Sequence, residues 1–170
     1  MSTLVVYESM WGNTRRVAEA AAEGLGDDVP VVNVAEAPVP LPQDVDTLIV
    51  GGPTHAFSMS RASTRQDSQT KGADQAHVTS GIREWLGALP ASDRVIVATF
   101  DTRVASVRHL PGSAAKSAAR EVRRHRLGRV IATESFYVAD MAGPPLDGEL
   151  DRARAWGASL TVGDRVDDES

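Results

Sequence analysis

The segment that most constrains the fold is Leu4–Leu25. An apolar strand, Leu4 to Tyr7, runs into the loop Glu8-Ser9-Met10-Trp11-Gly12-Asn13-Thr14. A helical pattern follows at once, with Val17, Ala18, Ala21, Ala22 and Leu25 on one face. A loop between a strand's carboxyl end and a helix N-terminus presents unpaired N–H groups and the positive end of a dipole, and both favour a phosphate. Two common phosphate sites are excluded. A triphosphate loop reads G-x-x-x-x-G-K-[ST], whereas here Thr14 follows Asn13 with no lysine, and the dinucleotide fingerprint G-x-G-x-x-G is absent. What remains is a cradle for one phosphate, made by backbone amides and the hydroxyls of Ser9 and Thr14. The alternative is an ordinary strand–turn–helix connection capped by Asn13 or Thr14.

The β–α alternation continues along the chain. Strands are expected at Thr3–Tyr7, Val29–Val34, Thr47–Val50, Val95–Phe100 and Val130–Val138. Helices are expected at Asn13–Leu25, Ser80–Leu89, Ser113–Arg126 and Asp147–Leu160. Ala37 to Pro42 alternates proline with small and apolar residues and reads as an extended connector. Successive β–α units argue for an α/β fold with a parallel sheet covered on both faces. With strand order 2-1-3-4-5, the ligand crevice falls at the switch point beside the first strand. One domain is expected over 1–163, with 164–170 as a frayed acidic tail.

Two further segments leave the same end of that sheet. The first is Gly51-Gly52-Pro53-Thr54-His55-Ala56-Phe57-Ser58-Met59, read as a loop whose glycines let the backbone approach a ligand. The second is Phe100-Asp101-Thr102-Arg103-Val104. Here a resemblance enters. S-x-x-G-N-T at Ser9–Thr14 resembles the phosphate loop of flavodoxins, and G-G-P-T-x-x-F resembles their second loop. S-M-x-G and P-T-H-A-F-S-M are similar to the FMN-dependent quinone reductases of the tryptophan-repressor-binding type. The resemblance implies a flavodoxin-like three-layer sandwich with FMN as cofactor. Its phosphate would lie in Ser9, Met10, Trp11, Gly12, Asn13 and Thr14, with Trp11 over the phosphate or ribityl chain. Its ring would lie between Pro53, Thr54, His55, Ala56 and Phe57 on one side and Phe100, Asp101, Thr102 and Arg103 on the other. In that arrangement His55 and Phe57 cover one face, Arg103 stacks on the other, and the amides of Asp101 and Thr102 meet the pyrimidine edge. The chain departs from electron-transfer flavodoxins in having no Trp in the second loop and no Tyr in the third.

Composition narrows the chemistry. The chain has no cysteine, so disulfides, iron–sulfur clusters, thiolate zinc sites and cysteine nucleophiles are excluded. His55, His77, His109 and His125 show no metal-ligand spacing, and no segment approaches the ~20 apolar residues of a membrane span. Nor is a secretory signal visible, which makes the cytoplasm the expected compartment. Net charge is −5 but uneven. Residues 101–130 hold eight basic side chains against two acidic ones, a net of +6, which leaves −11 for the rest. The basic helix is either a solvated face or a docking surface for an acidic partner or phosphorylated cofactor. Nucleic-acid binding is not expected, because no aromatics interleave with Arg123-Arg124-His125-Arg126. The polar stretch 58–79 is expected to lack regular structure and to act as a lid, as a contact to a phosphorylated second substrate, or as a plain surface loop.

Three functions follow from the resemblance. The first is an FMN electron carrier working with a redox partner protein or a small quinone-like acceptor. The second is an FMN-dependent NAD(P)H/quinone-type reductase. The third is a flavin-free binding or regulatory module.

Overall fold

The computed structural model describes residues 2–54, 58–70, 72 and 81–163. Five strands, β1 (Ser2–Tyr7), β2 (Val31–Asn33), β3 (Val45–Pro53), β4 (Ile96–Val104) and β5 (Arg129–Val138), pair in parallel in the order β2-β1-β3-β4-β5. The helices are α1 (Asn13–Leu25), α2 (Ala62–Thr70), α3 (Ile82–Ala88), α4 (Ala114–Arg124) and α5 (Glu149–Gly163). Parallel strands buried on both faces need apolar side chains at successive positions. One row across the sheet is Val31, Val5, Ile49, Ala98 and Ala132; the next is Val32, Val6, Val50, Thr99 and Thr133. The first row packs beneath α1 and α5 and the second faces α3 and α4.

The α1–α5 layer packs at backbone distance. A Cβ on Gly24 would sit 1.9 Å from the Arg154 carbonyl oxygen, and one on Gly157 would sit 2.1 Å from that of Ala21. On the other face no α-helix joins β2 to β3. A short turn, Val34–Glu36, leads into the proline-rich connector, whose Pro38 carbonyl accepts from Trp85 Nε1 at 3.2 Å. The edge strand β5 carries a register shift opposite Val97/Ala98, which interrupts its ladder at Ile131. Such bulges blunt an edge against further pairing.

Helix α1 spans the residues expected of it. Three expectations are corrected. Strand β3 extends to Pro53 and β4 to Val104, so Gly51-Gly52-Pro53 and Phe100 to Arg103 belong to the sheet and not to loops. The stretch 58–79 contains a helix, α2. A hydroxyl turn opens it: Arg61 N–H donates to Thr64 Oγ1, which donates back to the Arg61 carbonyl. Finally, α1 has no side-chain N-cap. Gly12 takes that place at φ 90°, and the Arg16 N–H bonds its carbonyl at 3.1 Å. The expected start of the third helix at Ser80 and the tail 164–170 lie outside the described residues.

Candidate functional site

The β1–α1 loop turns on two contacts. Gly12 N–H donates to Ser9 Oγ at 3.0 Å, and the positive φ of Gly12 is one that branched side chains rarely adopt. Arg16 is the first residue of α1 whose N–H finds a carbonyl one turn back, so the amides of the first turn are directed at the loop. Thr14 Oγ1 and Thr102 Oγ1 lie 2.8 Å apart and tie the loop to β4. The connection after β5 closes the loop from the other side. Gly143 (φ 92°) leaves room for Asn13, whose Oδ1 a Cβ there would meet at 2.3 Å.

These elements border an open cleft of about 230 Å³ at the carboxyl ends of β1, β3, β4 and β5. Ser9, Asn13, Thr14, Thr54 and Thr102 make its polar part, and Met10, Trp11, Pro53, Val104, Val138 and Met141 its apolar part. The volume is just below the ~300–1,000 Å³ usual for small-molecule sites. Of the residues expected from sequence, Ser9, Met10, Trp11, Asn13, Thr14, Pro53, Thr54 and Thr102 are brought together here, with Gly12 in the loop that forms the wall. His55, Ala56 and Phe57 lie outside the described residues.

Three residues are placed elsewhere by the strand register. Phe100 is fully buried on the α1/α5 face, in edge-on contact with Phe136 and Trp156 at centroid distances of 6.3 and 5.9 Å. Its ring fills the space over its cross-strand partner Gly51, where a Cβ would lie 2.0 Å from it. Gly51 is therefore glycine to admit Phe100, not a ligand. Asp101 is also fully buried, and its Oδ2 accepts from Thr54 Oγ1 at 3.1 Å and from the Ala115 N–H at 3.0 Å. It thus caps α4. Burial raises its pKa above the ordinary value, and the α4 amide together with the hydroxyls of Ser135, Ser113 and Thr54 opposes part of that rise. Arg103 is held inward by a 2.9 Å bond from Nη2 to the Leu110 carbonyl, so its guanidinium does not line the cleft.

A second buried carboxylate was not singled out from sequence. Glu8 Oε1 accepts from the Ile82 N–H at 2.9 Å, at the start of α3, and Oε2 accepts from Ser60 Oγ. Arg65, fully buried in α2, donates to Ser60 Oγ at 2.9 Å and pairs with Glu84 at 2.7 Å. Burial raises the Glu8 pKa, while Ser60, Ile82 and Arg65 hold it down. Sequence reasoning placed Val104 in the third loop without giving it a contact, and it missed Val138 and Met141. The exposed Met141 and the Gly143-Pro144-Pro145 turn after β5 were the available signals.

A five-stranded parallel sheet of this order, with a glycine-turned loop feeding α1 at its switch point, is a flavodoxin-like α/β fold. Residues 4–78 match the family model for the flavodoxin domain. The match spans less than half of the chain, and it agrees with the flavodoxin-like fold of the whole. Among solved structures, it is similar to a flavodoxin from the domain Archaea, with 20% identity, TM-score 0.61, and 94% and 96% of the two chains covered. It is also similar to oxidised flavodoxin 1 from Bacillus cereus, with 14% identity, TM-score 0.65, and 95% and 97% covered. A third is the Streptococcus pneumoniae TIGR4 flavodoxin, with 14% identity, TM-score 0.62, and 96% and 99% covered. No curated protein matches the sequence. No helix among the described residues is long and apolar enough to cross a membrane.

Proposed function

We propose that the chain binds FMN, with the phosphate in the Ser9–Thr14 cradle and the ring toward the apolar part of the cleft, and that it serves in electron transfer. The observation that carries this is the loop itself. A left-handed Gly12, the first-turn amides of α1 and the hydroxyls of Ser9 and Thr14 converge on one end of the cleft. One anion with a flat apolar body suits such a site better than a triphosphate, for which the loop lacks a lysine. Bound there, FMN supplies the redox chemistry. The protein's own part is binding and orientation. Ser9 holds the Gly12 turn, the Thr14–Thr102 contact fixes the loop against β4, and Met10, Trp11, Val104, Val138 and Met141 keep water from the apolar end.

A second reading, an NAD(P)H-dependent quinone-type reductase, is favoured by one feature. Among the described residues that line the cleft, Trp11 is the one aromatic side chain, and a thin aromatic cover suits hydride transfer to an accessible ring face. Fluorescence titration with FMN tests the first step. Quenching with one-to-one stoichiometry supports a flavoprotein, and no quenching at high FMN makes the chain a flavin-free module. Rapid NADPH oxidation by the FMN-loaded protein with a quinone acceptor selects the reductase; its absence selects the carrier, whose partner is a redox protein or small acceptor.

A further inference from the structure

We propose that the outer face of α4 and the tip of the β4–α4 connection form a docking surface for an acidic redox protein; that the partner is redox-active rests on the FMN assignment above. Helix α4 buries Ala114, Ala115, Ser117, Ala118, Ala119 and Val122 and exposes Lys116, Arg120, Arg123 and Arg124. The exposed positions are spaced i, i+4, i+7 and i+8, which aligns them in one stripe. Like charges at that spacing oppose helix formation. Of the four, Arg124 alone is offset locally. Glu121, the one acidic residue of α4, is engaged by His125 at 3.0 Å and Arg124 at 3.7 Å. Among the described residues no carboxylate pairs with Lys116, Arg120 or Arg123.

The positive face continues onto α3. Arg83 Nη2 donates to Ser58 Oγ at 3.2 Å, Ser58 Oγ lies 2.9 Å from Ser117 Oγ, and Arg120 Nη2 donates to Ser117 Oγ at 3.2 Å. Two guanidinium groups are thereby fixed on one hydroxyl pair. Toward the cleft, the β4–α4 connection exposes Val107 and Leu110 beside Arg108 and His109. The Ala114 N–H bonds Thr54 Oγ1, in the cleft wall, at 3.0 Å. The stripe therefore begins beside the cleft and runs ~12 Å along the helix axis.

The occupant follows from the charge pattern. Apolar contact flanked by charge is the usual anatomy of a protein interface. With Lys116, Arg120, Arg123 and Arg124 exposed along α4 of a chain whose net charge is −5, an acidic protein is attracted to this face in preference to the rest, which favours one orientation. A membrane is disfavoured because the apolar side of α4 is already buried in the core. Nucleic acid is disfavoured because α4 carries no aromatic side chain for base stacking.

The test uses an acidic [2Fe–2S] ferredoxin as probe, basic cytochrome c as the opposite-charge control and heparin as a generic polyanion, with calorimetric titrations in low and high salt. The expected result is one-to-one ferredoxin binding that weakens about tenfold or more at high salt. Lys116→Glu/Arg120→Glu/Arg123→Glu should weaken it at least about tenfold and strengthen cytochrome c binding relative to the parent. The milder Lys116→Gln/Arg120→Gln/Arg123→Gln variant, which removes repulsion within α4, should weaken it less while melting no lower than the parent. Absence of ferredoxin binding, binding unchanged in both variants, or heparin binding that excludes ferredoxin overturns the proposal. Titrations with and without FMN separate the two claims: ferredoxin binding by a chain that takes no FMN overturns the flavin assignment and leaves the docking face standing.

Discussion

The two walls of the cleft are built on different principles. The β1–α1 wall is made by backbone: a left-handed glycine, a helix start and two hydroxyls within six residues. The β3–β4 wall is made by strands, and there the fold has already engaged the side chains that short motifs would assign to a ligand. Phe100 covers Gly51 and Arg103 holds Leu110, while Asp101, expected to offer only its amide, has its carboxylate bonded to the first turn of α4. A backbone site can be built locally and so be recognised locally. A side-chain site depends on how far a strand runs and which face each residue takes, and neighbouring strands decide both.

Substitutions at the two walls should separate accordingly. The largest effect is expected at Phe100. Phe100→Ala should cost ~3–5 kcal/mol of stability through the cavity left against Phe136 and Trp156, read by chemical denaturation. The milder Phe100→Leu should fold and bind FMN as the parent does; a large drop in its affinity would put Phe100 at the ring after all. Next comes Gly12→Val, which forces a branched residue into left-handed backbone at a cost of ~1–3 kcal/mol and fills the phosphate's place. Its FMN affinity should fall by at least an order of magnitude. Thr14→Ala loses one hydroxyl, a change of ~0.5–1.5 kcal/mol, and equal affinities in the two variants would refute the placement of the phosphate.

Asp101 gives a pH signature. Its pKa in the folded protein lies above the unfolded value, so the folded state holds the proton more tightly. Stability from this group is full below the unfolded pKa, ~3.9, and declines as pH rises through the raised folded value. Asp101→Asn should remove that decline, so that urea midpoints measured across the acid-to-neutral range fall less steeply with rising pH than in the parent. A variant with the same slope would show that another group, such as Glu8, dominates it. The smallest effect is expected for Arg103→Met: FMN affinity within about twofold of the parent and a stability loss of ~1 kcal/mol from the Leu110 bond.

The same contrast explains what was legible in the sequence. The strands and α1 follow from apolar periodicity and the glycine before Asn13, both local signals, whereas the strand order came with the resemblance of the loops. The connector before β3 was legible because Pro38, Pro40 and Pro42 exclude a helix there. Helix α2 was hidden because its residues are nearly all polar and its anchor is a buried arginine, which no hydrophobic pattern reports. Glu8 looked like part of a polar loop, yet it links β1 to the start of α3 through contacts across 74 residues. Val138 reaches the cleft as the carboxyl end of β5, and Met141 because the chain turns back after β5 onto Asn13.

The central claim is that the Ser9–Thr14 loop holds the phosphate of FMN. It is tested most directly by titrating the parent protein with FMN and, in parallel, with riboflavin, which lacks the phosphate. The account predicts saturable one-to-one quenching of FMN fluorescence, riboflavin binding weaker by at least about tenfold, and competition by inorganic phosphate at the FMN site. Equal affinity for FMN and riboflavin, or no binding of either, would contradict it.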